Sequence, residues 1–245
     1  MTDLDGRVAL VTGSSSGIGE AIARLLSLHG ANLVVNSSSS VSQGENVAAA
    51  LPTDSIYVRA DISEPLQCRG LVEAAMDRFG RIDMLVNNAG WTSQVDHTDL
   101  EGLTEEIFRR TFEVNVFGTW VLTKEAIPYL AMSPDGNVVM ITSVAGIRPV
   151  GSSIAYAMSK AALNHLTLLL AKSFGPIRVN AVAPGLIATP WTADWADLHE
   201  TVAQRAPAGR SGVADDIARA VLALVTNSYV TGEILVVDGG LTQVL

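Results

Sequence analysis

The sequence predicts an α/β fold: a doubly wound, parallel sheet of seven strands with helices on both faces. Short apolar runs alternate with longer helical patterns along all 245 residues, and the runs are rich in β-branched residues with little polar alternation. Strands that are buried on both faces of a parallel sheet have this continuous apolar character. Right-handed crossovers between such strands produce the doubly wound arrangement.

Each element follows from the local pattern. The predicted strands are VALVT (8–12), NLVVN (32–36), IYVRA (56–60), IDMLVN (82–87), NVVMITS (137–143), IRVNAVA (177–183) and ILVVD (234–238). Helices are predicted over 17–29, 42–51, 65–79, 105–131, 154–174 and 213–226. Ser42 with Glu45 has the spacing of a capping box, and Ser63 precedes Glu64 and Pro65 at another helix start. No segment resembles a linker, so we expect one domain over 1–245 with a small substrate lid around 186–205.

Composition excludes several classes of function. With 48% hydrophobic and 17% charged residues the chain suits a well-buried core, and its formal net charge of −9 argues against a nucleic-acid or anionic membrane partner. The single cysteine, Cys68, excludes an internal disulfide, and the dispersed histidines show no ligand spacing, so no metal is expected. The beginning MTDLDGRVALVTG lacks the features of a signal peptide. We therefore expect a cytoplasmic protein.

A glycine-rich segment follows the first predicted strand. TGSSSGIG (12–19) leads directly into a helix, and its glycines permit a tight turn, close approach of the backbone to a pyrophosphate and close packing of helix on strand. The free N–H groups at the start of the helix then face the anion. In this position the segment predicts a dinucleotide site in a Rossmann-type fold. The residues expected to form it are Gly13, Ser15, Ser16, Gly17, Ile18 and Gly19.

The end of the second strand decides between the two nicotinamide dinucleotides. A carboxylate at this position accepts from the adenosine 2′-hydroxyl of NAD(H) and repels a 2′-phosphate. Here the strand ends in Asn36, Ser37 and Ser38, whose hydroxyl and amide donors suit a phosphate. The sequence therefore favours NADP(H) over NAD(H). The segment contains no arginine or lysine, and its interpretation as a simple turn stays open.

A second motif places a phenol and an ammonium on one helix face. YAMSK (156–160) puts Tyr156 and Lys160 one turn apart. Further segments occur in a fixed order with TGSSSGIG: DI (61–62), NNAG (87–90), FEVNVFGT (112–119), Ser143 at a strand end, and PGLIATP (184–190). Together these motifs resemble the short-chain dehydrogenase/reductase family, and the resemblance covers nearly the whole chain.

This resemblance implies a catalytic set of Asn115, Ser143, Tyr156 and Lys160. Tyr156 would be the general acid for carbonyl reduction and the general base for alcohol oxidation. At about 4 Å and an effective dielectric constant of about 20, the Lys160 ammonium would stabilise a phenolate by about 4 kcal/mol before burial opposes it. Ser143 would donate to the substrate oxygen, and Asn115 would interrupt its helix and hold a water of a proton relay.

The resemblance also implies cofactor contacts. Asp61 and Ile62 would hold the adenine, with the Asp61 carboxylate accepting from its exocyclic amine. The backbone of Asn88, Ala89 and Gly90 would pass under the ribose, and Lys160 would bind the nicotinamide ribose beside Tyr156. The remaining expected contacts, around the nicotinamide carboxamide and the pyrophosphate, are Pro184, Gly185, Ile187 and Thr189.

The substrate entrance is expected from 91–97, 144–153 and 186–205. It would be largely apolar and would accept ketones and secondary alcohols, with Trp191 and Trp195 spaced i, i+4 on a short helical lid. The expected substrate contacts are Trp91, Ile147, Ser153, Trp191 and Trp195, with Arg148 as another polar candidate.

Alternatives remain open for function and partners. The family includes 3-oxoacyl-acyl-carrier-protein reductases, but a basic rim for an acidic carrier is sparse here. A protein of another class, a dinucleotide-binding sensor or scaffold without turnover, would not be expected to keep all four catalytic residues. By resemblance we expect a homotetramer, or a dimer, assembled through helices 105–131 and 154–174 because of their broad apolar faces. The C-terminal run ILVVDGGLTQVL would supply a second interface.

Overall fold

The structure, a computed structural model, describes residues 4–244 and contains the predicted parallel sheet. Its seven strands are ordered β3-β2-β1-β4-β5-β6-β9, and every neighbouring pair is parallel. The strands are β1 Val8–Val11, β2 Asn32–Ser37, β3 Ser55–Arg59, β4 Met84–Asn87, β5 Asn137–Ile141, β6 Arg178–Pro184 and β9 Ile234–Val237. A further short pair, β7 Ile187–Ala188 with β8 Gly212–Val213, was not predicted.

Helices cover both faces of the sheet. They are α1 Gly17–Leu28, α2 Val41–Ala49, α3 Pro65–Phe79, α4 Glu105–Phe112, α5 Thr119–Leu130, α6 Ile154–Ser173, α7 Ala196–Arg205 and α8 Ala214–Thr226. The predicted fold class is therefore confirmed. None of the helices within residues 4–244 is long and apolar enough to cross a membrane.

Alternation along the strands divides the apolar residues between two cores. In β1, Ala9 and Val11 face a core that includes α1, α2 and α8, whereas Val8 and Leu10 face a core that includes α3, α5 and α6. Because both faces of each central strand are covered by helices, the sequence of the strand is one continuous apolar run. This is why the sequence pattern located the strands so closely.

Three local expectations are wrong. The segment 105–131 is not one α-helix, because a π-helix, Glu113–Gly118, separates α4 from α5. The segment 42–51 has no capping box at Ser42, since α2 already begins at Val41, after Ser40. Ser63 does not cap α3, which follows Glu64 with a proline in its first turn; its hydroxyl donates to the Asp61 carboxylate instead.

The order of the sheet determines where a ligand can bind. The chain proceeds outward from β1 to β2 and β3, and then returns to place β4 on the other side of β1. Loops that leave the carboxyl ends of β1 and β4 therefore diverge and open a crevice between them. In open α/β sheets such a switch point is where ligands bind.

Candidate active site

A cavity of about 930 Å³ lies along the carboxyl ends of the strands. Nearly all of the predicted cofactor residues line it. They are Gly13, Ser15, Ser16, Gly17, Ile18, Asn36, Ser37, Ser38, Asp61, Ile62, Asn88, Ala89, Gly90, Tyr156, Lys160, Pro184, Gly185, Ile187 and Thr189. Loops that are far apart in the sequence thus form one continuous wall, as the motif order predicted.

The glycine-rich loop lies tightly against the end of β4. Gly13 has φ +61°, and a Cβ there would lie 3.0 Å from the Ala89 Cα. A Cβ on Gly19 would lie 2.3 Å from the Gly13 carbonyl oxygen, so this residue packs beneath the loop and does not line the cavity. The Asn88 side chain also donates to the carbonyls of Thr12 and Gly13. These contacts hold the loop as a concave surface at the start of α1, lined by Gly13, Ser15, Ser16 and Gly17, which fits a pyrophosphate.

Asn36 borders the cavity, but its side chain is committed to the fold. Its Nδ2 donates to the carbonyls of Val58 and Ala60 at 3.0 and 3.1 Å, and its Oδ1 accepts from the Gly13 N–H at 3.4 Å. The residue is 1% exposed. Asn36 therefore joins the glycine-rich loop to β3, and its side-chain amide is bonded within the protein. The residues that follow it along the loop, Ser37 and Ser38, also line the cavity.

Those serines differ in their surroundings. Ser37 is buried and its hydroxyl lies 2.9 Å from the Tyr57 hydroxyl. Ser38, the next residue along, is exposed and lines the cavity. Of the two, Ser38 has the side chain that a bound adenosine phosphate could reach without breaking a hydrogen bond with Tyr57.

Asp61 is held in an ionised state by its neighbours. Its Oδ1 accepts from the Ser63 N–H and hydroxyl at 2.9 and 2.6 Å, and its Oδ2 accepts from Arg110 at 3.2 Å. Burial alone would raise the pKa of Asp61, but the Ser63 hydrogen bonds and the Arg110 charge together lower it below its usual value. The adenosine end of the cavity therefore contains a carboxylate whose charge is already compensated.

The proposed proton donor and its neighbours converge on one wall. The Ser143 hydroxyl is a hydrogen-bond partner of the Tyr156 phenol, and the Lys160 Nζ lies 5.5 Å from the centroid of the Tyr156 ring. Helix α6 begins after Ser153, whose hydroxyl accepts from the Tyr156 N–H. Both Tyr156 and Lys160 thus lie in the first two turns of α6, directly beside the end of β5.

Lys160 is 4% exposed, and its Nζ donates to the Ile141 carbonyl at 2.9 Å. Burial lowers the pKa of Lys160 to about 8. Burial also raises the pKa of Tyr156 to about 12, against the opposing effect of its hydrogen bond with Ser143. The expectation that Lys160 depresses the pKa of Tyr156 is therefore wrong for the protein alone, since desolvation dominates.

Asn115 lies at the centre of the π-helix and behind the cavity wall. Its Oδ1 accepts from the Trp91 N–H at 2.7 Å, and its Nδ2 donates to the Trp91 carbonyl and the Ser159 hydroxyl, each at 3.0 Å. A Cβ on Gly90 would lie 3.4 Å from this Oδ1 and 3.7 Å from the Lys160 Nζ. Asn115 and Lys160 therefore approach the same glycine, although Asn115 does not line the cavity.

Comparison with known proteins agrees with this geometry. The family whose model matches residues 13–242 is described as Enoyl-(Acyl carrier protein) reductase. A relative from Streptomyces violaceoruber, named as ketoacyl reductase 2 of the granaticin polyketide synthase, is 52% identical over 95% of this chain and 95% of its own. The 3-oxoacyl-[acyl-carrier-protein] reductase FabG of Thermotoga maritima is 36% identical over 97% of this chain and 98% of its own.

A solved structure of a short-chain dehydrogenase/reductase from Burkholderia xenovorans superimposes with a TM-score of 0.89 at 32% identity, covering 97% of this chain and 98% of the other. This chain belongs to the short-chain dehydrogenase/reductase family. NAD(P) dependence is general in the family, so the chain is an NAD(P)-dependent oxidoreductase.

The substrate side of this short-chain dehydrogenase/reductase differs from expectation at two residues. Trp91, Trp191 and Trp195 line the cavity, but Ile147 and Ser153 do not. Ser153 is fully buried because its hydroxyl caps α6. Ile147 follows a short 3₁₀ turn, Val144–Gly146, and its side chain faces outward, as does that of Arg148. Residues on either side of them form the wall: Val144, Ala145, Pro149, Val150, Gly151 and Ser152.

The two tryptophans of the expected lid do not share a helix. Trp191 lies in a 3₁₀ turn, Pro190–Thr192, whereas Trp195 precedes α7. Pro190 begins the turn after Thr189, and the Thr192 hydroxyl donates to the Ile187 carbonyl at 2.7 Å. Both indoles nevertheless line the cavity.

Several cavity residues were not recognised in the sequence. Arg110 reaches the cavity from α4, and Leu198, Val202 and Arg205 reach it from α7. Arg110 meets Asp61 across 49 positions of the chain, a contact for which no local pattern exists. The lid was expected to be a short helix carrying Trp191 and Trp195, whereas the helix of this segment is α7, and the helical spacing of Leu198, Val202 and Arg205 is the signal that could have located it.

Proposed function

We propose that this protein reduces ketones with NADPH, and that Tyr156 protonates the carbonyl oxygen as hydride is added to the carbon. The observation that carries the proposal is the convergence of Ser143, Tyr156 and Lys160 on one wall of the dinucleotide-sized cavity. The pKa of Tyr156, raised to about 12, keeps the phenol protonated at neutral pH, as a general acid requires.

Each residue has a separate task in this mechanism. NADPH, when bound, supplies the hydride. Ser143 and Tyr156 direct their hydroxyls to the substrate oxygen, where negative charge develops, and Tyr156 then transfers its proton to that oxygen. Lys160 orients the cofactor ribose and supplies the positive charge that stabilises the resulting phenolate. Asn115 fixes Trp91 and the adjoining glycine segment from behind. We propose that it also holds a water of the proton relay.

The experiment that tests this proposal combines two measurements. Fluorescence titration should show tighter binding of NADPH than of NADH, and NADPH oxidation should be detected with apolar ketones from a panel. Equal or tighter binding of NADH would contradict the cofactor preference. Tight binding without oxidation of NADPH by any ketone or ketoacyl thioester would favour the alternative class, a dinucleotide sensor or scaffold.

A substitution at the adenosine end should reverse the cofactor preference. Ser38→Asp adds a carboxylate on the exposed side chain that lines the cavity, where it can accept from a free 2′-hydroxyl and repel a 2′-phosphate. We expect the ratio of the NADPH to the NADH dissociation constant to rise by at least about tenfold, the scale of one charge-assisted hydrogen bond. Ser38→Asn, which has similar size and no charge, is the control and should change the ratio little.

The substrate is proposed to be an apolar carbonyl compound, because indoles and aliphatic side chains dominate the outer cavity. A 3-oxoacyl thioester on a carrier protein is the second candidate, favoured by the names of the relatives from Streptomyces and Thermotoga. Comparing a free ketone with a 3-oxoacyl thioester, each with and without a carrier protein, distinguishes the two.

We further propose a cytoplasmic location and movement of 186–205 as the substrate lid.

We propose a homotetramer, or a dimer, assembled through α4, α5 and α6. Phe117 and Trp120 are 50% and 38% exposed there, and Leu168 and Leu169 are 43% and 50% exposed on α6. Phe117→Arg should place a charge in this apolar surface and shift sedimentation at micromolar concentration toward smaller species. Leu28→Arg, on exposed α1 across the sheet, is the matched control. A wild-type monomer under these conditions would contradict the assembly.

A further inference from the structure

Arg59 is the last residue of β3, the edge strand of the sheet; it does not itself line the cavity, but it contacts the cavity residue Ser38. Its Nε donates to the Ser38 carbonyl oxygen at 3.1 Å. The two residues come together because β2 and β3 are parallel and Arg59 is paired in register with Ser37. The guanidinium therefore lies beside the loop after β2 although it belongs to the next strand of the sheet. This position follows from the strand pairing and has no counterpart in the local sequence of the loop.

The charge of Arg59 is not compensated by a carboxylate. Within residues 4–244 no ion pair includes Arg59, and its only side-chain hydrogen bond there is the one from Nε. The nearest acid in the sequence, Asp61, is already paired with Arg110 and accepts two bonds from Ser63. The terminal nitrogens of Arg59 thus remain available as charged donors. An exposed guanidinium with unpaired terminal nitrogens, next to the cavity residue Ser38, can bind an anionic group of a ligand.

The surroundings of Ser38 suit a phosphate. Ser38 and Ser39 are exposed and line the cavity, and the Ser40 side chain forms no capping hydrogen bond at the start of α2. The first turn of α2 also contains no acidic residue. An arginine fork together with serine hydroxyls and backbone N–H groups is a common way to hold a phosphate dianion.

We propose that Arg59 binds the 2′-phosphate of NADP(H) and is the residue that determines cofactor preference in this chain. The inference rests on the proposed NADP(H) dependence. The proposal also explains how a 2′-phosphate could be bound although residues 36–40 contain no arginine or lysine, because the positive charge comes from the neighbouring strand. Arg59 contacts the phosphate through its terminal nitrogens, while its Nε keeps the bond to the Ser38 carbonyl and so fixes the guanidinium beside the loop.

The test measures binding without turnover. Dissociation constants for NADPH, NADH, 2′,5′-ADP and 5′-ADP are determined by calorimetry or fluorescence for the wild type and for Arg59→Gln. We expect the dissociation constants of NADPH and 2′,5′-ADP to rise by about 10- to 100-fold in the variant, the scale of lost hydrogen bonds to a charged group. The dissociation constants of NADH and 5′-ADP should stay within about twofold of the wild-type values. Arg59→Lys should recover part of the affinity for 2′,5′-ADP because it keeps the charge.

Arg110→Gln is the matched control, since Arg110 lines the cavity and contacts Asp61. It should change binding of the phosphorylated and unphosphorylated ligands by the same factor. Equal losses for all four ligands in Arg59→Gln would overturn the proposal and reduce Arg59 to a support for the Ser38 backbone. The two proposals fail in different ways. If the wild type does not bind NADPH more tightly than NADH, the NADP(H) proposal is wrong. If the wild type prefers NADPH and Arg59→Gln keeps that preference, only the Arg59 proposal is wrong.

Discussion

Replacing Tyr156 with phenylalanine is expected to lower turnover by about 10²-fold or more while leaving the fold and cofactor binding nearly unchanged. The substitution removes one oxygen and keeps the ring that packs on α6. It therefore removes the proton donor for the carbonyl oxygen and the partner of the Ser143 hydroxyl without opening a cavity. A loss in the catalytic rate constant without a comparable loss in cofactor affinity is the signature of a group that acts in the transition state.

The measurement is steady-state reduction of a ketone that the wild type accepts, with NADPH affinity determined in parallel. Tyr229→Phe is the matched control, because this tyrosine is 99% exposed and is not among the cavity residues. It should retain full activity. If Tyr156→Phe turned over at a near-normal rate, the phenol would be a packing residue and the proposed proton transfer would have to be abandoned.

The direction of the Tyr156 pKa shift also predicts the pH dependence. Because burial raises this pKa to about 12, the phenol is protonated throughout the neutral range, and ketone reduction should not require an ionisation of Tyr156 there. Alcohol oxidation requires the phenolate, so its rate should rise with pH. When oxidised cofactor is bound, its positive charge adds to that of Lys160, and the apparent pKa in the oxidation profile should therefore lie below the value for the protein alone.

Elements with a local signal were predicted well from the sequence. The continuous apolar strands, the glycine-rich loop and the i, i+4 spacing of Tyr156 and Lys160 each depend on residues close together in the chain. A parallel sheet then brings the loop ends to one edge, so the cavity wall follows from the order of the motifs. The π-helix around Asn115 was anticipated only as an interruption, because its hydrogen bonds to Trp91 lie 24 positions away.

Features that depend on long-range contacts were not accessible. The sequence places Asn36 at the end of β2 but does not indicate that its amide bonds to the carbonyls of Val58 and Ala60, which only the strand pairing brings within reach. The pKa of Tyr156 was expected to fall because the sequence indicates a nearby charge and does not indicate burial. In the structure the Lys160 Nζ lies 5.5 Å from the centroid of the Tyr156 ring and donates to the Ile141 carbonyl. Burial therefore determines the direction in which the pKa of Tyr156 shifts.

Lys160→Met is expected to damage both turnover and cofactor binding, in contrast to Tyr156→Phe. Methionine nearly fills the space of the buried lysine stem but removes the ammonium that is proposed to bind the nicotinamide ribose and to stabilise the Tyr156 phenolate. We expect turnover to fall by about 10²-fold or more and the NADPH dissociation constant to rise by about tenfold or more. Circular dichroism and thermal melting should confirm that the variant remains folded.

Lys172→Met provides the matched control, because Lys172 lies in the last turn of the same helix and is exposed. An exposed lysine contributes little, so this variant should bind and turn over NADPH normally.

Raising the pH gives an independent test, since burial lowers the pKa of Lys160 to about 8. Below that pKa the ammonium is present and binding is strong. Above it the neutral amine has lost the charge proposed to bind the nicotinamide ribose, and NADPH affinity of the wild type should decline through this range toward that of Lys160→Met, whose affinity should stay flat. A folded Lys160→Met protein with wild-type affinity and turnover would show that the lysine only fills space between α6 and β5.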